Sequence, residues 1–302
     1  MLASLSTGGA GKRAAAVLAG VLALVAAWPA AAATAIPPGK WSFLFTDAKG
    51  RADRPMRVYT YRPRQCDEKC PIQFVLHGQG RTASNYRDYW ELAADRYGFL
   101  VVVPEFSKAH WPGGAGYNRG DVDATEDRDK WGFLVIEHLF DEVRSAQADY
   151  RIFGHSAGAQ FLHRFLYFVP ENRASLAVVA NAGWYTLPEW RPGKVKYTWP
   201  YALVGAKVGE KEARQALGKR MVVMLGEGDT DPNAPDLDRT EGSLAQGANR
   251  LERGRNFYRA ASELAKEAEA AFLWELAYVP GTAHEGSKMS RAAADLVYGA
   301  KP

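Results

Sequence analysis

Tyr150-Arg-Ile-Phe-Gly154-His155-Ser156-Ala157-Gly158 is the stretch on which the reading of the fold turns. A short apolar run ends in Gly-x-Ser-x-Gly. A helical spacing of Ala159, Phe161, Leu162, Phe165, Leu166 and Phe168 begins directly after it, so Ser156 falls where a strand must reverse into a helix. The glycines have a steric reason: such a reversal strains the serine backbone, and side chains two residues either side would strike the neighbouring strand and helix. Ser156 then projects its hydroxyl at the head of a helix.

Working outward, buried strands are expected at Ile72–Leu76, Phe99–Val103, Leu176–Ala180, Arg220–Leu225 and Phe272–Val279, and an N-terminal hairpin from Trp41–Phe45 and Met56–Tyr61. Helical spacing marks Ser84–Tyr97, Trp131–Ser145, Ser156–Phe168, Ser243–Ala270 and Glu285–Tyr298. Alternating strands and helices without repeats imply one α/β domain over residues 34–302, with a mostly parallel sheet covered on both faces. Residues 183–219 do not fit a simple crossover. They carry Trp184, Tyr185, Trp190, Tyr197, Trp199 and Tyr201, and read as an aromatic-rich insertion over one sheet edge.

The N-terminus reads as an export signal. Lys12 and Arg13 close a positive segment, Ala14–Trp28 is apolar, and small residues follow to Ala33, where cleavage is expected. The apolar run is short for a span, which needs about 20 residues, so no stable membrane insertion is expected after cleavage and the mature chain should be periplasmic or secreted. Both cysteines, Cys66 and Cys70, lie in the mature part, where a local disulfide is the expected pairing. Zinc would be half-ligated by two cysteines without nearby histidines. The net charge of +4 is mild and no Lys/Arg run with interleaved aromatics occurs, so nucleic acid is not an expected partner.

In a parallel sheet ligands bind at the carboxyl ends of the strands, which gathers the loops starting near His77, Ser156, Gly226 and Pro280. A serine hydroxyl needs a base, and the base a partner that fixes its tautomer. Of the six histidines, His138 and His163 lie inside helices, His155 should point away from Ser156, His77 precedes a turn suited to backbone donation, and His110 sits in a long loop. His284 follows the last strand and is the candidate base. For the acid, Gly226-Glu-Gly-Asp229-Thr-Asp231 offers two aspartates, and Asp229 is preferred to Asp231 because it lies three residues after the glycine that leaves the strand. Asp229, Asp231 and Asn233 also mimic the start of a calcium loop, but Ala234 occupies the place where glycine is required. Neither metal nor cofactor is expected. The oxyanion of a tetrahedral intermediate requires two backbone N–H donors, for which Ala157 and Gln79 are the candidates. Trp184, Tyr185 and Trp111 are candidate substrate contacts.

Leu76-His77-Gly78, Gly154-His-Ser-Ala-Gly158, Gly226-Glu-Gly-Asp229 and Val279-Pro-Gly-Thr-Ala-His284 together resemble the four signatures of the α/β-hydrolase superfamily, from about Met56 onward. Within it the chain is similar to secreted esterases of the poly(3-hydroxybutyrate) depolymerase-like and feruloyl or acetylxylan esterase-like group. The resemblance implies cofactor-free hydrolysis of small or polymeric carboxylic esters through an acyl-enzyme. Many such depolymerases carry cysteine after the His-Gly, where Gln79 stands here, and this counts against a polyester. Two other readings stay open: a peptidase or amidase on the same triad, and a non-catalytic binding protein of the same fold.

Overall fold

The computed structural model describes residues 34–299, so the expected signal over residues 1–33 lies outside the described residues. Eight strands form one sheet in the order β1-β2-β4-β3-β5-β6-β7-β8: β1 (Gly39–Phe45), β2 (Met56–Arg62), β3 (Ile72–Leu76), β4 (Leu100–Pro104), β5 (Tyr150–His155), β6 (Ala174–Ala180), β7 (Met221–Gly226) and β8 (Trp274–Val279). β1 and β2 are the antiparallel hairpin and β2 pairs antiparallel with β4, after which every pairing is parallel. The central strands β3, β4 and β7 are buried along their whole length, because helices cover both faces. β3 pairs with both β4 and β5. The order reverses there, which opens a crevice outside the carboxyl ends of β3 and β5.

On one face α1 (Ala83–Tyr97) and α8 (Gly286–Tyr298) pack Tyr86, Trp90, Met289 and Ala293 against Val75, Val101 and Phe153. The other face is covered by α3 (Val135–Val143), α4 (Ala157–Phe168), α5 (Glu210–Leu217) and α7 (Arg250–Glu267). Between these, α2 (Gly113–Gly116) and α6 (Glu241–Leu244) are single turns. Trp90 is fully buried against Phe99 and Phe153. Removing an aromatic of that size from water is worth roughly 4–6 kcal/mol gross, from 150–250 Å² at about 25 cal/mol per Å².

Two expected helices are shorter than their apolar spacing suggests. The expected helix Ser243–Ala270 breaks into α6 and α7, because Gly247 adopts a positive φ of 148° and Asn249 caps α7 by accepting from the Glu252 N–H at 2.9 Å. The Glu252 carboxylate returns a bond from the Ala248 N–H, so a capping signal stood inside the apolar pattern. The expected helix Trp131–Ser145 begins only at Val135. Its first residues are drawn into the core instead, Gly132 donating to Gly120 O at 2.7 Å while Phe133 packs on Phe161.

Residues 183–209, the first part of the expected insertion, form a tight loop layer. Leu187 bridges Ala202, and the Leu187 N–H donates to Tyr201 O at 2.8 Å. The remainder contains α5, a regular crossover helix ahead of β7. Cys66 and Cys70 are paired, with their Cα atoms 5.3 Å apart, just before β3. Among the described residues no helix is long and apolar enough to cross a membrane.

Candidate active site

β5 runs into α4 through Ser156, whose φ of 56° and ψ of −116° are sterically unfavourable for a residue with a side chain. The flanking glycines make that turn possible. A Cβ on Gly154 would lie 2.3 Å from Gly158 O, and one on Gly158 would lie 2.3 Å from Leu76 O. The strained serine is pinned on both sides, its N–H donating to Ala180 O and its carbonyl accepting from the Gln160 N–H, both at 3.0 Å.

His284 stands in the loop between β8 and α8. Its Nε2 is 3.0 Å from Ser156 Oγ, and its Nδ1 is 2.7 Å from Asp229 Oδ2. The carboxylate can only accept, so Nδ1 carries the proton and Nε2 is left as acceptor for the serine hydroxyl. Asp229 is almost fully buried. Asp231, the alternative candidate, is exposed and its Oδ1 takes the N–H of Asn233 at 2.8 Å, while it is Asp229 that bonds the imidazole.

The loops that carry Asp229 and His284 are stitched together. Asn181, just after β6, accepts from the Gly226 N–H at 2.8 Å and donates to Ala283 O at 3.0 Å. Gly228 N–H donates to Thr282 O at 2.8 Å, and Glu227 N–H to Val279 O at 3.1 Å. Asn181 escaped the sequence reading, because its task joins loops 45 and 102 residues away. Arg250 escaped it too: buried at the start of α7, its guanidinium reaches Asp229 Oδ1 at 3.3 Å and Asp236 Oδ1 at 2.8 Å.

The other histidines are accounted for by their neighbours. His155 is buried, with Nδ1 2.7 Å from Tyr86 Oη, and its ring packs 4.7 Å from that of His284. Burial pushes its pKa well down and keeps it neutral. His77 is held by Gly78 O and the Phe106 N–H, and burial pushes it down to about 4. His163 bonds Ala159 O and the Thr186 N–H, His138 bonds Asp47, and His110 bonds Pro55 O.

Ala157, the first residue of α4, has an N–H without an intrahelical acceptor, and the Gln79 N–H has no backbone acceptor among the described residues. Gln79 and Ser156, the residue before Ala157, line a cavity of about 580 Å³ together with Gln160 and Trp184. Its lining includes Lys108 and Arg119, the buried Arg81 and Arg250, and the carboxylates Asp236 and Asp238. Buried arginines also fasten its walls: Arg81 donates to Phe106 O, Trp111 O and Gly113 O, and Arg253 to Gly183 O and Asp238 O. Arg164 lies 4.1 Å beneath the Trp184 ring and burial pushes its pKa down to about 9. A depression of about 650 Å³ at the opposite ends of the strands is larger, but its one serine, Ser175, donates to Tyr150 O and no histidine lines it.

Of the three aromatic candidates only Trp184 lines the cavity. Trp111 is 1% exposed, with Phe106 packed at its edge and Arg54 over its face, so it fills the core and is corrected to a packing residue. Tyr185 is fully buried and stacks on Phe257 at 4.3 Å, and is corrected in the same way. Among the described residues no cluster of side chains could hold a metal ion.

No family model matches the chain. A poly(aspartic acid) hydrolase-1 from a Sphingomonas species is 40% identical, with a TM-score of 0.81, over 87% of this chain and 100% of that one. A poly(3-hydroxybutyrate) depolymerase from Bordetella parapertussis is 33% identical, with a TM-score of 0.82, over 88% of this chain and 92% of that one. A bifunctional acetylxylan esterase/xylanase of Neocallimastix patriciarum is 26% identical over 123 residues, which is 40% of this chain and 17% of that protein.

Proposed function

The chain belongs to the esterase branch of the α/β-hydrolase superfamily, and from that premise we propose that it is an exported serine hydrolase that cleaves carboxylic esters. The observation that carries the reading is the continuous hydrogen-bond line from Asp229 through His284 to Ser156. Ser156 Oγ attacks the ester carbonyl as its proton passes to His284 Nε2, forming the Oγ–C bond. Asp229 holds the imidazole in the required tautomer and balances the imidazolium charge. The oxyanion is received by the Ala157 and Gln79 N–H groups, each such donor being worth about 3–4 kcal/mol in the transition state. Collapse breaks the bond to the alcohol oxygen, which leaves with the Nε2 proton. Water, deprotonated by the same nitrogen, then releases the acid and restores Ser156.

The Cys66–Cys70 pairing supports an oxidising destination outside the cytoplasm. Trp184 provides an apolar wall for the acyl or alcohol part. The test is Ser156→Ala with p-nitrophenyl esters: turnover should fall by at least about 10⁴-fold with an unchanged circular dichroism spectrum. Unaltered turnover would sink the assignment.

A second reading, cleavage of an amide in a carboxylate-bearing polymer, is favoured by the 40% identical poly(aspartic acid) hydrolase and by Lys108 and Arg119, the cations of the cavity lining that are not buried. Rates on an ester and an amide of one acyl group, beside product release from poly(aspartic acid), discriminate the two.

A further inference from the structure

Beyond Ser156, His284 and Asp229, the site contains a closed ring of charges around the base. Going round it, His284 Nδ1 bonds Asp229 Oδ2 at 2.7 Å, and Asp229 Oδ1 faces the Arg250 guanidinium at 3.3 Å. Arg250 in turn bonds Asp236 Oδ1 at 2.8 Å, and Asp236 Oδ2 returns to within 3.9 Å of His284 Nε2. One carboxylate thus faces each nitrogen of the imidazole, and one guanidinium holds both carboxylates. Arg250 is buried to 2% side-chain exposure and Asp236 is half exposed, at 53%, on the wall of the cavity that contains Ser156.

We propose that Asp236 is a positioning residue for the hydrolytic reaction: held by Arg250, it stabilises the imidazolium that His284 becomes when it takes the serine proton. The inference rests on the serine-hydrolase reading above. The charges argue it directly. With His284 neutral, the two aspartates and Arg250 leave the ring at net −1. When His284 is protonated the ring is neutral, so each carboxylate supplies a counter-charge to the imidazolium. Asp229 alone, paired with a buried guanidinium, would have had its charge largely cancelled. Asp236 restores the negative balance, and it does so on the Nε2 side, where the proton arrives.

The remaining groups facing His284 do not supply that charge. His155, from the end of β5, is buried and neutral. Glu285, beside it on the entry to α8, accepts from the Ala283 N–H and is paired with Lys288 at 2.7 Å. Ser156 is the proton donor itself. Asp236 Oδ2 stands 3.9 Å from Nε2 on a half-exposed side chain, so solvent screens the attraction without abolishing it.

The experiment is the pH dependence of kcat/KM on a short p-nitrophenyl ester for wild type, Asp236→Asn and Asp236→Glu. Removing a negative charge destabilises the imidazolium, so the acid-limb midpoint of Asp236→Asn should move down by about 0.5–1 pH unit. The Glu variant should return it toward wild type, and 1 M NaCl should shrink the difference. A lowered plateau with an unmoved midpoint would mean that Asp236 only holds its loop, and would overturn the inference, as would a midpoint that rises. The His284 imidazole followed by NMR titration gives the same midpoint without turnover. A shift seen there in a chain that hydrolyses no ester would support the ring while contradicting the serine-hydrolase reading.

Discussion

The elbow at residues 154–158 and the loop layer at residues 105–130 and 183–209 both border the cavity, yet their sequences read very differently. At the elbow the demand is local. Gly154 and Gly158 face backbone oxygens 2.3 Å from where a Cβ would stand, and Ser156 carries a φ that its own neighbours impose. In the loop layer the demand is distant. Trp111 and Tyr185 look like substrate contacts in sequence, but they are buried by Phe106 and Arg54, and by Phe257, residues brought to them by the fold. Steric constraints on a tight turn are written in adjacent residues. The choice between wall and core for an aromatic is made by whatever packs against it.

The contrast can be tested pairwise, beginning with the acid. Asp229→Asn keeps the shape but removes the charge that fixes the tautomer, and should lower kcat by about 10³–10⁴-fold. Asp231→Asn, on an exposed turn, should stay within twofold. Steady-state kinetics on one ester would compare them, and equal losses would break the assignment of the acid. Next come the two tryptophans. Trp111→Ala should cost about 3–5 kcal/mol in denaturant unfolding. Trp184→Ala should be less destabilising and should raise KM for long acyl esters by several-fold. A stable Trp111→Ala variant with altered substrate preference would make Trp111 a substrate contact rather than a core residue. The smallest difference in stability separates two glycines. Gly158→Ala drives a methyl against Leu76 O and should cost about 1–3 kcal/mol along with most activity. Gly98→Ala, at the left-handed end of α1 with open space around it, should cost only about 1 kcal/mol and leave kcat unchanged. Melting curves and initial rates on both variants decide this.

Much of the frame was legible for the same reason as the elbow. Continuous apolar runs marked β3, β4 and β7, and the loops after β3, β5, β7 and β8 carried Gln79, Ser156, Asp229 and His284 in a serviceable order. The geometry now puts Asp229 rather than Asp231 at 2.7 Å from the imidazole. What the sequence concealed lies in pairings across the chain. Asn181 ties two loops, Arg250 bridges two aspartates, and His155 supports the base from behind. Each is a polar residue whose partner is many positions away, so no period or local motif announces it. The break between α6 and α7 is the converse case. Its signal, Asn249 with Glu252 three residues on, was local but was overridden by an apolar pattern that continued across it.

The central claim is that Ser156 is a nucleophile activated by His284. Intact-mass and peptide mapping after treatment with a fluorophosphonate tests it most directly, since the probe phosphonylates only an activated serine and needs no knowledge of the substrate. The account predicts one adduct, on the peptide containing Ser156, lost in Ser156→Ala and slowed by at least about 10³-fold in His284→Ala. No adduct on the wild-type protein, or an adduct that persists undiminished in Ser156→Ala, would contradict it.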